Sequence, residues 1–141
     1  MFSTIVVAMD GSEGAEKALA PATELAREGG GKLVIAHVVE MIAAKGDMPP
    51  VHPDEAKIIE GLKKNAADLS AAGVETTFES ETCVLGGPAR GILDIADRVG
   101  ADLIVAGTRG HSSITGLLVG SVTHRLLHIS PRPVLVIPSD H

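Results

Sequence analysis

Four short apolar runs punctuate the chain: Ile5-Val6-Val7-Ala8-Met9, Leu33-Val34-Ile35-Ala36 with Val38-Val39, Leu103-Ile104-Val105-Ala106 and Val134-Leu135-Val136-Ile137. Runs of this length without polar alternation predict strands buried on both faces, as in a parallel sheet. Val74 to Val84 is more polar and alternates through Val74, Thr76 and Phe78, which predicts an edge strand. Between the strands the apolar period changes to that of a helix. Ala15, Ala18, Leu19, Ala22, Leu25 and Ala26 make one stripe, stopped by Gly29-Gly30-Gly31. Ile58, Ile59, Leu62, Ala66 and Leu69 make a second, with Pro53 near its start and Gly73 beyond its end. Ile92, Ile95, Ala96 and Val99 make a third, from Pro88 to Gly100, and Val122, Leu126 and Ile129 a fourth, ended by Pro131 and Pro133. Alternating strand and helix throughout predicts an α/β fold, an open, doubly wound, five-stranded parallel sheet in the order 3-2-1-4-5. Met41 to His52, with Gly46, Pro49 and Pro50, is the one loop long enough to act as a lid or arm.

In such a sheet ligands sit beyond the C-terminal strand ends, where the strand order reverses. That switch point lies between the first and fourth strands. The loops meeting there are Asp10-Gly11-Ser12 and Gly107-Thr108-Arg109-Gly110. The second loop opens a longer pattern, Gly-x2-Gly-x9-Gly-Ser, completed by Gly120-Ser121. Glycines at a strand's end let the backbone approach a ligand without a Cβ in the way. Their N–H groups, with a helix starting at Ser121, predict a cradle for an anion such as phosphate.

Composition narrows the field. A chain of 141 residues predicts a single domain over 1–141, with enough length for a real core. Hydrophobic residues make up 45%, too many for disorder. The formal net charge of −6 and the absence of a basic stripe argue against nucleic-acid binding. No apolar stretch reaches the ~20 residues of a membrane helix. Cys83 is the only cysteine, so no internal disulfide forms. Met1-Phe2-Ser3-Thr4 runs straight into a strand, and the expectation is a cytoplasmic protein without a signal peptide.

The chain resembles the universal stress proteins of the ATP-binding type. The residues that carry the resemblance are Ile5-Val6-Val7-Ala8-Met9-Asp10-Gly11-Ser12, His37-Val38, Gly87-Pro88-Ala89, the full glycine signature and Pro133-Val134-Leu135-Val136-Ile137-Pro138. The resemblance covers essentially the whole chain. It implies a Rossmann-like fold of the adenine nucleotide alpha hydrolase kind, binding ATP together with Mg²⁺. It implies that Gly107, Gly110, Gly120 and Ser121 line the triphosphate and ribose, with a helix N–H from Val122. Asp10 would lie beside the adenosine, and Ala8, Met9 and Val38 would wall the adenine pocket. Physical reasoning agrees, because a carboxylate close to phosphates repels them unless a cation intervenes. No Walker-type lysine is present, so phosphate charge falls to N–H groups, a metal ion and Arg109.

Several residues carry a plainer reading beside the functional one. Asp10 also fits a helix cap, with Glu13 completing a capping box. Arg109 also reads as a solvated loop charge. His124 and His128, four apart on one helix, read as a surface pair without the glutamate of a zinc-protease motif, and the metal ligands stay unassigned. His37 reads as a strand-end residue packed in the fold, and Cys83 as a thiol without an activating histidine nearby in sequence. The leading function is an adenine-nucleotide-binding regulatory module of the stress response. The alternatives are a slow ATPase or self-phosphorylating enzyme, and a dimeric interaction module that has lost nucleotide binding. A phospho-receiver lacks its acidic cluster and terminal lysine here, and a flavodoxin lacks its aromatics, since the chain has neither Trp nor Tyr. The final strand, Val134–Ile137, is an apolar sheet edge between prolines, and it predicts a homodimer through antiparallel pairing with a second copy.

Overall fold

Each buried strand serves two cores at once. Along β1 (Thr4–Ala8), β2 (Lys32–Glu40) and β4 (Leu103–Gly107), successive side chains point to opposite faces, so an uninterrupted apolar run feeds both. In the computed structural model, which describes residues 2–40, 53–83, 87–108 and 120–138, Ile5, Val7, Leu33, Ile35, Leu103 and Val105 pack on one face. There they meet α1 (Glu13–Gly29) and α2 (Glu55–Ala71) through Ala15, Ala18, Ala22, Leu62 and Ala66. Val6, Val34, Ala36, Ile104 and Ala106 pack on the other face against α3 (Gly87–Val99) and α4 (Ser121–Ile129), with Ile92, Leu93, Ile95 and Leu126 between them.

The sheet has five strands in the order β3-β2-β1-β4-β5, all pairs parallel, with β3 (Thr76–Cys83) and β5 (Val134–Ile137) at its edges. This is the doubly wound sheet that the alternating pattern predicts. The edge strand expected within Val74 to Val84 is β3, Thr76–Cys83, while Val84 itself lies outside the described residues. So do residues 41–52, the long loop of the sequence analysis. Among the described residues no helix is long and apolar enough to cross a membrane.

The helix ends follow local chemistry. Ser12 caps α1, its hydroxyl accepting from the N–H of Ala15 at 3.2 Å, and Gly30 closes the helix in the left-handed conformation (φ 64°). Asp10 therefore is not the cap, and no capping box forms with Glu13. The Asp10 carboxylate instead accepts from the N–H of Ser12 at 2.8 Å, a turn two residues long. At the opposite end of the sheet, Asp102 joins the starts of β1 and β4. Its carboxylate accepts from the N–H of Ser3 (2.9 Å), the hydroxyl of Ser3 (3.1 Å) and the N–H of Thr4 (3.1 Å).

Candidate functional site

β1 and β4 are neighbours, yet their chains leave the sheet in opposite directions. β1 leads into α1 on one face, and α4 after β4 packs on the other. The ends of the strands are left uncovered between them, and a cleft of about 660 Å³, counting its open mouth, lies there. Its walls are Ala8, Met9, Asp10, Ser12 and Ala15 from the first crossover, Val38 and Glu40 from β2, Pro88 and Ile92 from α3, Ala106, Gly107 and Thr108 from β4, and Gly120, Val122 and Thr123 at the start of α4.

Seven residues singled out from the sequence thus converge on one cleft: Ala8, Met9, Asp10, Val38, Gly107, Gly120 and Val122. Ser121 is the first residue of α4 but does not form part of the wall. Arg109 and Gly110 lie outside the described residues. The loops named from the sequence also bring Ser12 and Thr108 to the wall, whereas Glu40 and Thr123 were not singled out. Glu40 had a legible signal, since it is the last residue of β2 and so sits at the ligand end of the sheet. Thr123 had none, because its place is set by a tertiary bond: its hydroxyl donates to the carbonyl of Gly107 at 2.9 Å and ties α4 to the end of β4.

Gly107 is glycine for a different reason from the one its position in the loop suggests. A Cβ there would run into the backbone carbonyl of Gly14, near the start of α1. The missing side chain lets the helix seat on the strand end, and the cleft floor stays where it is because of that close approach. The next residue continues the sheet, with the Thr108 N–H donating to the carbonyl of Ile137 at 3.1 Å.

The cleft's charge is acidic at its β1–β2 end, where Asp10 and Glu40 face it. No Lys, Arg, His or Cys lies among its described wall residues. At the other end Gly120 supplies no side-chain cap to the N–H groups of the first turn of α4. A negative group is favoured at that pole and disfavoured beside the two carboxylates, so the cleft has a direction. Asp10 and Glu40 are the residues able to reach a cation there; among the described residues no cluster of three metal-binding side chains exists.

The remaining candidates are placed by their surroundings. His37 is buried and packed, as its position on the strand predicts. Its Nδ1 stands 2.8 Å from the carbonyl oxygen of Met9, and its Nε2 meets the carboxylate of Glu55. Cys83 is partly buried opposite Glu40 on the neighbouring strand. Burial, and then the charge of Glu40, push its thiol up from the usual range, so it is a poorer nucleophile than a free cysteine. His124 and His128 are exposed on α4 with their rings edge to face, 4.7 Å apart, outside the cleft.

A model of the universal stress protein family matches residues 1–138. The chain belongs to the universal stress protein family. Universal stress protein YxiE of Bacillus subtilis is 33% identical over 153 aligned residues, covering 97% of this chain and 99% of its own. A universal stress protein solved in complex with cAMP superposes with a TM-score of 0.70 at 28% identity, covering 96% of this chain and 97% of that one. The universal stress protein of Archaeoglobus fulgidus, solved in complex with dAMP, superposes with a TM-score of 0.65 at 26% identity, again covering 96% and 97%. This chain is thus similar over nearly its full length to family members that hold adenine nucleotides.

Proposed function

We propose that the cleft binds an adenine nucleotide, ATP with Mg²⁺, and that the protein is a homodimeric regulatory module of the stress response. The observation that carries this reading is the meeting of Asp10, Val38, Gly107, Gly120 and Val122 in one cleft with an acidic end and a helix-N-terminal end. The base would lie between Ala8, Met9 and Val38, whose side chains offer apolar walls. Asp10 would accept from the nucleoside. The phosphates would point towards Gly107, Gly120 and the first turn of α4, with Ser121, Arg109 and Gly110 beside them and Mg²⁺ offsetting their charge. The family members solved with cAMP and dAMP support an adenine ligand. The nucleotide is read as a ligand and not a substrate, since no described wall residue supplies an imidazole, an amine or a thiol, and His37 is engaged elsewhere.

Isothermal calorimetry with ATP and Mg²⁺ tests the reading. We expect saturable heat, and an affinity lower by about tenfold or more in Asp10→Ala, the loss of a hydrogen bond to a charged acceptor. Asp10→Asn, which keeps an acceptor for the N–H of Ser12, controls for the turn. The absence of any heat with the unmodified protein at high micromolar concentration would refute nucleotide binding.

A further inference from the structure

The buried contact between His37 and Glu55 contains a proton that the two side chains cannot do without. His37 is 3% exposed and lies on the sheet face that carries α1 and α2. Its Nδ1 faces the Met9 carbonyl at 2.8 Å, and a carbonyl only accepts, so Nδ1 bears a hydrogen. A neutral imidazole protonated at Nδ1 presents a lone pair at Nε2. An ionised carboxylate presents lone pairs too. Nε2 and the Glu55 carboxylate meet only with a proton between them. The pair is therefore either imidazolium with carboxylate or imidazole with carboxylic acid, neutral as a unit in both forms.

This shared proton ties three segments together at the cleft. Met9 is a wall residue, and its backbone is held on both sides by β2: its N–H donates to the Ala36 carbonyl at 2.8 Å, and its carbonyl accepts from His37. Glu55 is the first residue of α2, so the same contact docks the start of that helix. Among the described residues, the other charged side chains of the packed elements are directed elsewhere or exposed. Ser80 is the register partner of His37 on β3; the flanking Glu79 and Glu81 point to the opposite face, where Arg98 of α3 pairs with both. The residues that α1 buries towards the sheet, Gly14 to Ala26, are uncharged. On α2 the charged residues near Glu55, namely Asp54, Lys57 and Glu60, are exposed, and on the β1 side Asp10 is turned to the N–H of Ser12.

We propose that His37 and Glu55 are positioning residues for the nucleotide cleft, a clasp closed by one shared proton, so that nucleotide affinity falls when the contact is broken. The inference rests on the nucleotide reading of the cleft and names residues that hold its wall in place. Without its partner on Glu55, Nε2 is left unsatisfied in a site with little water. The Met9 carbonyl and the start of α2 then lose their common anchor. By linkage, a nucleotide that favours the closed clasp also strengthens the contact between His37 and Glu55.

Two measurements test this, one of them independent of any nucleotide. Long-range ¹H–¹⁵N spectra of the imidazoles, recorded on the ligand-free protein from about pH 5 to about pH 9, report the tautomer and charge of His37, with its signals assigned by their loss in His37→Gln. We expect Nδ1 to bear a hydrogen and the wild-type Nε2 to share a proton with the Glu55 carboxylate. In Glu55→Gln that shared proton is absent, because the glutamine amide donates to a neutral Nε2. Calorimetry with ATP and Mg²⁺ over the same range supplies the second readout. We expect Glu55→Ala, with no partner for Nε2, to bind ATP about tenfold more weakly than wild type, a usual coupling strength, and Glu55→Gln, which restores a partner, to recover most of that loss. A His37 hydrogen at Nε2 in place of Nδ1, or Glu55→Ala binding ATP like wild type, overturns the proposal. Absence of ATP binding at every pH refutes the nucleotide reading and the coupled affinity with it, while the imidazole spectra still decide whether the clasp holds its proton.

Discussion

At Gly107 and Gly91 the missing side chain makes room for a neighbour. Gly107 yields to the carbonyl of Gly14, and Gly91, inside α3, yields to Val38 of β2: a Cβ on Gly91 would stand 2.8 Å from one Val38 methyl and 3.0 Å from the other. Val38 is also a wall of the cleft, so α3 and the ligand compete for the same side chain. Gly91→Ala should gain about 1 kcal/mol of helix propensity and lose about 1–3 kcal/mol to overpacking. We expect a lower midpoint of thermal unfolding together with weaker ATP binding, because the displaced Val38 also walls the cleft. A Gly91→Ala protein with wild-type melting and affinity would show that α3 does not press on Val38.

At the level of elements, single polar side chains secure the start of α1 and the joint between β1 and β4. Ser12 satisfies an N–H at the start of α1, and the helix continues through Pro21, whose missing N–H removes one rung of its ladder. Asp102 has the larger reach, since it joins β1 to β4 at the end of the sheet opposite the cleft. Burial alone would push its carboxyl up, but the hydrogen bonds from Ser3 and Thr4 outweigh burial and hold it below its ordinary value. A carboxyl with a depressed folded value contributes stability that is full above the unfolded value, about 3.9. That contribution is lost as pH falls through the folded value. Asp102→Asn should therefore melt lower than wild type at neutral pH, and the gap should narrow on acidification to about pH 3. Equal gaps at both pH values would mean that the charge of Asp102 does nothing for the joint.

For the whole molecule the open question of assembly falls on β5. The strand pairs with β4 on one side, and among the described residues no strand pairs with the other. Leu135 on it is 38% exposed. Pro133 and Pro138 bracket the strand without shielding its central backbone groups. Antiparallel pairing with a second copy about a two-fold axis would satisfy those groups and cover Leu135. Light scattering should find a dimer at tens of micromolar protein, converted to monomers by Leu135→Asp or by Val136→Lys. A monomeric wild type, or a dimer indifferent to both substitutions, would remove β5 as the interface.

Most of the architecture could be read along the chain because the signals are local. An apolar run without alternation means two covered faces, and a change of period marks the next helix. The alternation indicated a doubly wound sheet, and with the order 3-2-1-4-5 the position of the cleft and seven of its wall residues could be named. Roles that depend on which segment lies across a gap could not be read. Asp10 and Ser12 both suit a helix cap, and only the geometry of the turn assigns the cap to Ser12. Gly107 looks like a residue made for a ligand until the carbonyl of Gly14 is placed against it. His37 is a polar interruption in an apolar strand with no local partner in sequence; folding brings Met9 from 28 residues away and Glu55 from 18 to its two nitrogens. Local patterns determine which backbone states and which faces are favoured, because burial and hydrogen bonding within an element involve near neighbours. The choice among polar roles waits for tertiary contact, because a donor, an acceptor or a missing Cβ acquires its meaning from the atom opposite.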